Sequence, residues 1–184
     1  MLKVIFSNKD ISQNSEYYAC VCDLLENKDV TDLDKHPHHL GASRFQHSLN
    51  VSYFNFLLCK FFRLNAKSAA RAGLLHDMFF YERKNHTKIQ NRHPVEHSNI
   101  AFYNASMRFP INDLEADMIL NHMWPLTPHL PRHAETVIIT ITDKFCAVSE
   151  IGCYLCKALK DKIVCKTKTA VKNNGGHSSE KSAL

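Results

Sequence analysis

An all-α, single-domain fold is what this sequence predicts, and three observations predict it. The chain has 184 residues, the length of one domain able to bury about two-thirds of its unfolded surface. Apolar residues recur at intervals of three and four along nearly every ordered segment, the signature of helices with one buried face. Composition is that of a soluble globule, with only five Gly and six Pro, which excludes collagen-like, low-complexity and wholly disordered classes.

The helices follow in order. Glu16 to Asn27 carries Tyr17, Val21, Leu24 and Leu25 at helical spacing after Ser15, a good N-cap. A loop with Pro37 and Gly41 follows, and residues 1–40 are expected to pack as helix and loop on the core. From Ser43 the stripe His47, Val51, Phe54, Leu58 marks a long helix to about Arg63. Asn65 caps AKSAARAGLLHD, whose Ala69, Ala72 and Gly73 permit close helix packing. Polar ERKNHTKIQNR reads as loop, and His93-Pro94 opens a helix to about Met107 with Pro94 at the favoured first position. Asn112 with Glu115 makes a capping-box start for a helix through His122.

Pro125, Pro128 and Pro131 then impose a rigid loop. The run TVIITIT is β-branched and alone favours a strand. A lone strand has no partner in such a chain, and Ile139, Asp143, Cys146 and Ala147 fall at helical spacing, so Ala134–Glu150 is expected as helix. A short last helix is expected over Tyr154–Ile163. Residues 41–165 form the main domain, and Lys-rich 166–184 is expected as a disordered tail, too poor in apolar residues to offset the entropy of ordering.

Charge and composition narrow the function. Of the formal +5, the tail contributes +3 through Lys166, Lys168, Lys172 and Lys181 against Glu180. The body's remaining +2 is too little for a nucleic-acid groove. No run approaches the roughly 18 apolar residues of a membrane span, and MLKVIF is too short for a signal-peptide core, so a cytoplasmic protein is expected. Seven cysteines, an odd number, then read as reduced thiols. Cys153-x-x-Cys156 with Cys20 and Cys22 has the spacing of a zinc site, but in predicted helices core thiols are expected instead.

Twelve histidines stand out. His76-Asp77 lies where a helix ends, the one place where neighbours about 100° apart on a helix both reach one ion. His47 interrupts an apolar stripe, and Asp143 replaces a hydrophobe between Ile139 and Ala147. A carboxylate buried there needs a cation or a set of donors. Each residue alone reads as structural; together they read as a metal cluster. His36, His38 and His39 are expected to be a solvated loop cluster.

FQHSLNV, AGLLHD and ITDKFCA, placing His47, His76-Asp77 and Asp143 in that order over roughly residues 41–150, resemble the HD-domain superfamily of all-helical, metal-dependent phosphohydrolases. His93 in NRHPVEHS and His122 in ILNHMWP stand where two-metal branches of that superfamily carry further ligands. The resemblance implies that His47, His76, Asp77 and Asp143 hold one ion, and that Asp77 bridges to a second held by His93 and His122. His97, one turn after His93, is the substitute ligand. Met78, Phe79 and Phe80 depart from the cyclic-dinucleotide branch, and its GYP signature is missing.

The implied activity is hydrolysis of a phosphate ester or anhydride, of a nucleotide or dinucleotide, by a water activated on one or two divalent transition ions: Fe, Mn, Co, Ni or Zn. Asp77 and Lys144 are the catalytic candidates. Arg83, Lys84 and Arg132 are candidate phosphate contacts and Trp124 a base platform, although Lys144 and Arg132 also read as plain surface charges and Trp124 as core. The expected partner is a small phosphorylated substrate. Two rivals stand beside this: a one-metal nucleotidase using only His47, His76, Asp77 and Asp143, and a non-catalytic metal-bound sensor or interaction module.

Overall fold

Polar side chains fix where the helices begin. Asn14, Ser43, Asn65 and Asn112 each accept a hydrogen bond from a backbone N–H in the first turn of the helix that follows, meeting donors that have no partner inside a helix. Asn112 and Glu115 form the expected capping box. The computed structural model describes residues 2–5, 10–38, 41–80, 93–127 and 129–174, with backbone alone for 93–95 and 163–174. Its helices are α1 (Ser15–Leu25), α2 (Lys28–Thr31), α3 (Arg44–Phe61), α4 (Ala66–Leu75), α5 (His93–Ser106), α6 (Asp113–Asn121) and α7 (Ala134–Asn174), with short 3₁₀ turns at Ile11–Gln13 and Asp32–Lys35. Among the described residues there is no strand; the fold is all-α, as the sequence predicts.

The centre is the α3–α4 pair. Gly73 lets the two backbones meet, since a Cβ there would stand 2.7 Å from Ser52 Cα. Ala69, Ala72, Leu74 and Leu75 of α4 are wholly buried with Tyr17 of α1 and Met118 of α6. Tyr17 Oη and Ser52 Oγ share a hydrogen bond of 2.9 Å inside this core, and Ser52 also donates to Ala70 O. α7 runs antiparallel to α3: Thr142 donates to Asn55, and Asn65 N donates to Glu135.

TVIITIT is helical, as its tertiary partners require. The expected break near residue 150 is absent: one helix runs Ala134–Asn174, because a lone Gly152 costs about 1 kcal/mol of helix propensity but removes no hydrogen bond. Helical backbone thus continues into the Lys-rich stretch, whose residues 175–184 lie outside the described ones, as does ERKNHTKIQNR. The cysteines correct another expectation. Cys59 and Cys146 are core thiols, but Cys153 and Cys156 are exposed and Cys20 and Cys22 only half-buried. No described helix is long and apolar enough to cross a membrane.

Candidate metal centre

Two helix ends build the centre with one device used twice. His76 follows the last residue of α4, and its Nδ1 donates to Gly73 O three residues back, at 2.8 Å. His122 follows α6, and its Nδ1 donates to Ile119 O at the same distance. A carbonyl only accepts, so each ring donates from Nδ1 and turns its Nε2 toward the centre. His47, from the second turn of α3, is anchored differently: its Nδ1 donates to Glu150 of α7 at 3.0 Å. Asn50 donates to the same carboxylate at 2.7 Å.

The three Nε2 atoms converge with two carboxylates. His47 Nε2 lies 3.0 Å from Asp143 Oδ1. His76 Nε2 is 3.7 Å from the same oxygen and 4.0 Å from Asp77 Oδ2. His97 Nε2, from α5, lies 3.5 Å from Asp77 Oδ1 and 3.0 Å from His122 Nε2. Asp77 thus turns one oxygen toward His76 and the other toward His97. Three overlapping groups place their ligand atoms within 4.8 Å of one another: His47, His76 and Asp143; His76, Asp77 and His122; and His38, His47 and Asp77.

The electrostatics match. Burial pushes the Asp77 carboxyl up, but His76, His38, His97 and His122 around it win and hold it far below the usual carboxylate range. Asp143 is held low in the same way by His47 and His76. Burial acts to lower His47, yet Asp143 and Glu150 outweigh it and raise its pKa to about 10. His122 goes the other way, down to about 3, through burial and the neighbouring His76 and His97.

These residues fit a metal ion. His76 Nε2 is buried and has no hydrogen-bond partner, a costly arrangement for a polar atom without a ligand. Second nitrogens bonded to carbonyl or carboxylate are what orients metal-binding histidines, and the nitrogen and carboxylate donor set suits transition metals. The described His and Asp groups can therefore hold a metal ion.

Of the sequence-predicted ligands, His47, His76, Asp77, His122 and Asp143 come together. His93 opens α5, and its side chain lies outside the described residues, as do Arg83 and Lys84. Lys144 is at the mouth, its Nζ donating to Thr140 O at 3.2 Å and weakly to His122 O at 3.4 Å. Arg132 is not at the centre. It lines a separate surface groove, where its backbone N bonds Asp117. Trp124 is half-buried and, unlike the adjacent Met123, does not line the cavity over the centre.

Three participants were not legible. His38 was expected in solvent, but it stacks on the His47 ring at 4.0 Å and pairs with Asp77 at 3.4 Å. Glu150 stands seven residues after Asp143, two helical turns on the same face, a spacing that marks it in retrospect. Arg44 is buried, with its guanidinium 3.7 Å over the Phe79 ring and Nη1 donating to Phe79 O. His38, Arg44, Asp77, His97, Asp143 and Lys144 line a small cavity of about 110 Å³.

No family model, no curated protein and no solved structure matches the chain.

Proposed function

We propose that the chain is a metal-dependent phosphohydrolase of the HD type, cleaving a phosphate ester or anhydride of a nucleotide or dinucleotide. The observation that carries this is the convergence of buried imidazole Nε2 atoms with two carboxylates held ionised, His76 Nε2 making no hydrogen bond of its own. His47, His76, Asp77 and Asp143 would hold one ion. The opposite oxygen of Asp77, with His122 and either His97 or His93, would hold a second.

Bound there, divalent ions supply an acidified water and charge neutralisation for phosphoryl oxygens. The protein's residues do the rest. Glu150 and the carbonyls of Gly73 and Ile119 hold the imidazoles in one orientation. Lys144 and Arg44 bring cationic groups to the cavity, where an anionic oxygen would sit. A space of about 110 Å³ equals the liquid volume of roughly four waters, which suits a phosphoryl group and keeps a nucleoside outside.

The test is hydrolysis of mononucleotides, dinucleoside polyphosphates and cyclic dinucleotides by protein stripped with chelator, then restored with Mn, Co or Fe. Turnover should vanish on stripping and return with metal. Metal-loaded, folded protein that hydrolyses none of these would overturn the proposal and favour a metal-bound sensor.

A further inference from the structure

We propose that the outward face of α7 is the seam of an antiparallel homodimer, its occupant a second copy of this chain. Ile141, Phe145, Val148, Gly152, Leu155 and Leu159 follow one another at intervals of four and three, the spacing of a two-helix seam. They stand on the side of α7 away from the core-facing Ile139, Cys146 and Glu150, and the bulky ones are exposed, Val148 at 71% and Ile141 and Leu159 at 60%. Phe145 touches Phe54 of α3 at a ring distance of 5.9 Å. Two turns further along α3 stands Phe61, 77% exposed, so the apolar face extends onto α3.

The area is what a stable dimer needs. With whole side-chain areas on the order of 150–200 Å², the exposed fractions on α7 and at Phe61 and Phe62 amount to roughly 750 Å². Stable interfaces bury about 800 Å² per partner. The largest apolar patch of a typical monomer is about 300–600 Å².

Gly152 points to the second copy. It sits inside a helix at an ordinary φ, and among the described residues nothing comes within 4 Å of where a Cβ would stand. No contact among the described residues needs the glycine, although it is a poor helix former. A two-fold axis opposite residue 150 supplies a reason. It sets Val148 against Gly152, a large residue beside a small one, and pairs Phe145 with Leu155 and Ile141 with Leu159. A parallel pair would stack Phe145 on Phe145 and leave a gap at Gly152. The positions flanking the seam between 141 and 159 are Thr142, Lys144, Ser149, Ile151, Cys156 and Ala158, with a single charge among them. No charge pattern there selects an unlike partner.

The experiment is sedimentation velocity of the full chain at low to high micromolar concentration, with Val148→Glu and Gly152→Leu alongside. Wild type should sediment with the mass of two chains. Val148→Glu, which would bury a carboxylate at the seam, should weaken association by about a hundredfold or more. Gly152→Leu should weaken it as well while leaving the monomer as helical as wild type by circular dichroism, since the described residues leave room for the side chain. A wild-type chain that stays monomeric throughout overturns the proposal, as does a dimer that both variants leave intact. Monomer that co-sediments with anionic lipid vesicles overturns it too, assigning the face to a membrane surface.

Discussion

Gly73→Ala is a one-carbon change whose effect can be worked from the structure. The new Cβ would stand 2.7 Å from Ser52 Cα, 2.9 Å from Ser52 N and 3.0 Å from Asn55 Nδ2. Two of these atoms are backbone of α3, so no side-chain rotation relieves the contact and α4 must move. Overpacking of this kind costs about 1–3 kcal/mol, with rigid neighbours placing it near 3. Alanine recovers about 1 kcal/mol of helix propensity. The net loss is about 2 kcal/mol, a fall in melting temperature of roughly 4–8 °C for a chain of this size. A second effect follows from position. Gly73 O is the anchor of His76, so the shift should also weaken metal binding, by about tenfold as outer partners of ligands do. Thermal unfolding by circular dichroism and competition with a chromophoric chelator read the two effects. A variant as stable as wild type or more so would refute the close approach of α3 and α4.

Further outcomes follow from other contacts. Glu150→Gln keeps the shape but removes the charge that anchors His47, and should lower metal affinity about 10- to 100-fold, measured by the same competition; unchanged affinity would remove Glu150 from the centre. Tyr17→Phe deletes the buried bond to Ser52 and should cost about 1 kcal/mol in denaturant unfolding; no loss would mean that the hydroxyls are satisfied elsewhere. Metal-free protein should lose stability as pH falls from about 6.5 toward 3. Over that range His122 takes up a proton in the unfolded chain but not in the fold. His47 and His76, with raised values, are already protonated there and add no slope. A flat stability profile between pH 6.5 and 4 would contradict that assignment.

The helices and the heart of the centre were legible because both rest on local signals. Caps at Ser43, Asn65 and Asn112 and the apolar stripe through Val51 mark helices, and polar groups intruding on apolar faces, such as His47 and Asp143, mark the cluster the fold assembles. What was missed depends on long-range packing. His38 looks solvated in its loop because the 38 residues between it and Asp77 hide their contact. Arg44 reads as an exposed first-turn charge until Phe79 folds against it. Continuity of α7 through Gly152 was obscured because a glycine and a change of composition resemble a helix end, while the helix keeps every backbone bond. Cys153 and Cys156 were expected as core thiols because they were placed in helices, but helix alone does not say which face is covered, and theirs is exposed.

Equilibrium dialysis of the stripped chain against Mn, read by elemental analysis, tests the central claim that these side chains form a metal centre. Wild type should retain one or two ions per chain. Asp77→Ala, which removes the carboxylate shared by both proposed positions, should retain none while keeping its helical circular dichroism. His122→Ala should retain about one. Folded wild type that binds no ion, or Asp77→Ala that binds as wild type does, would contradict it.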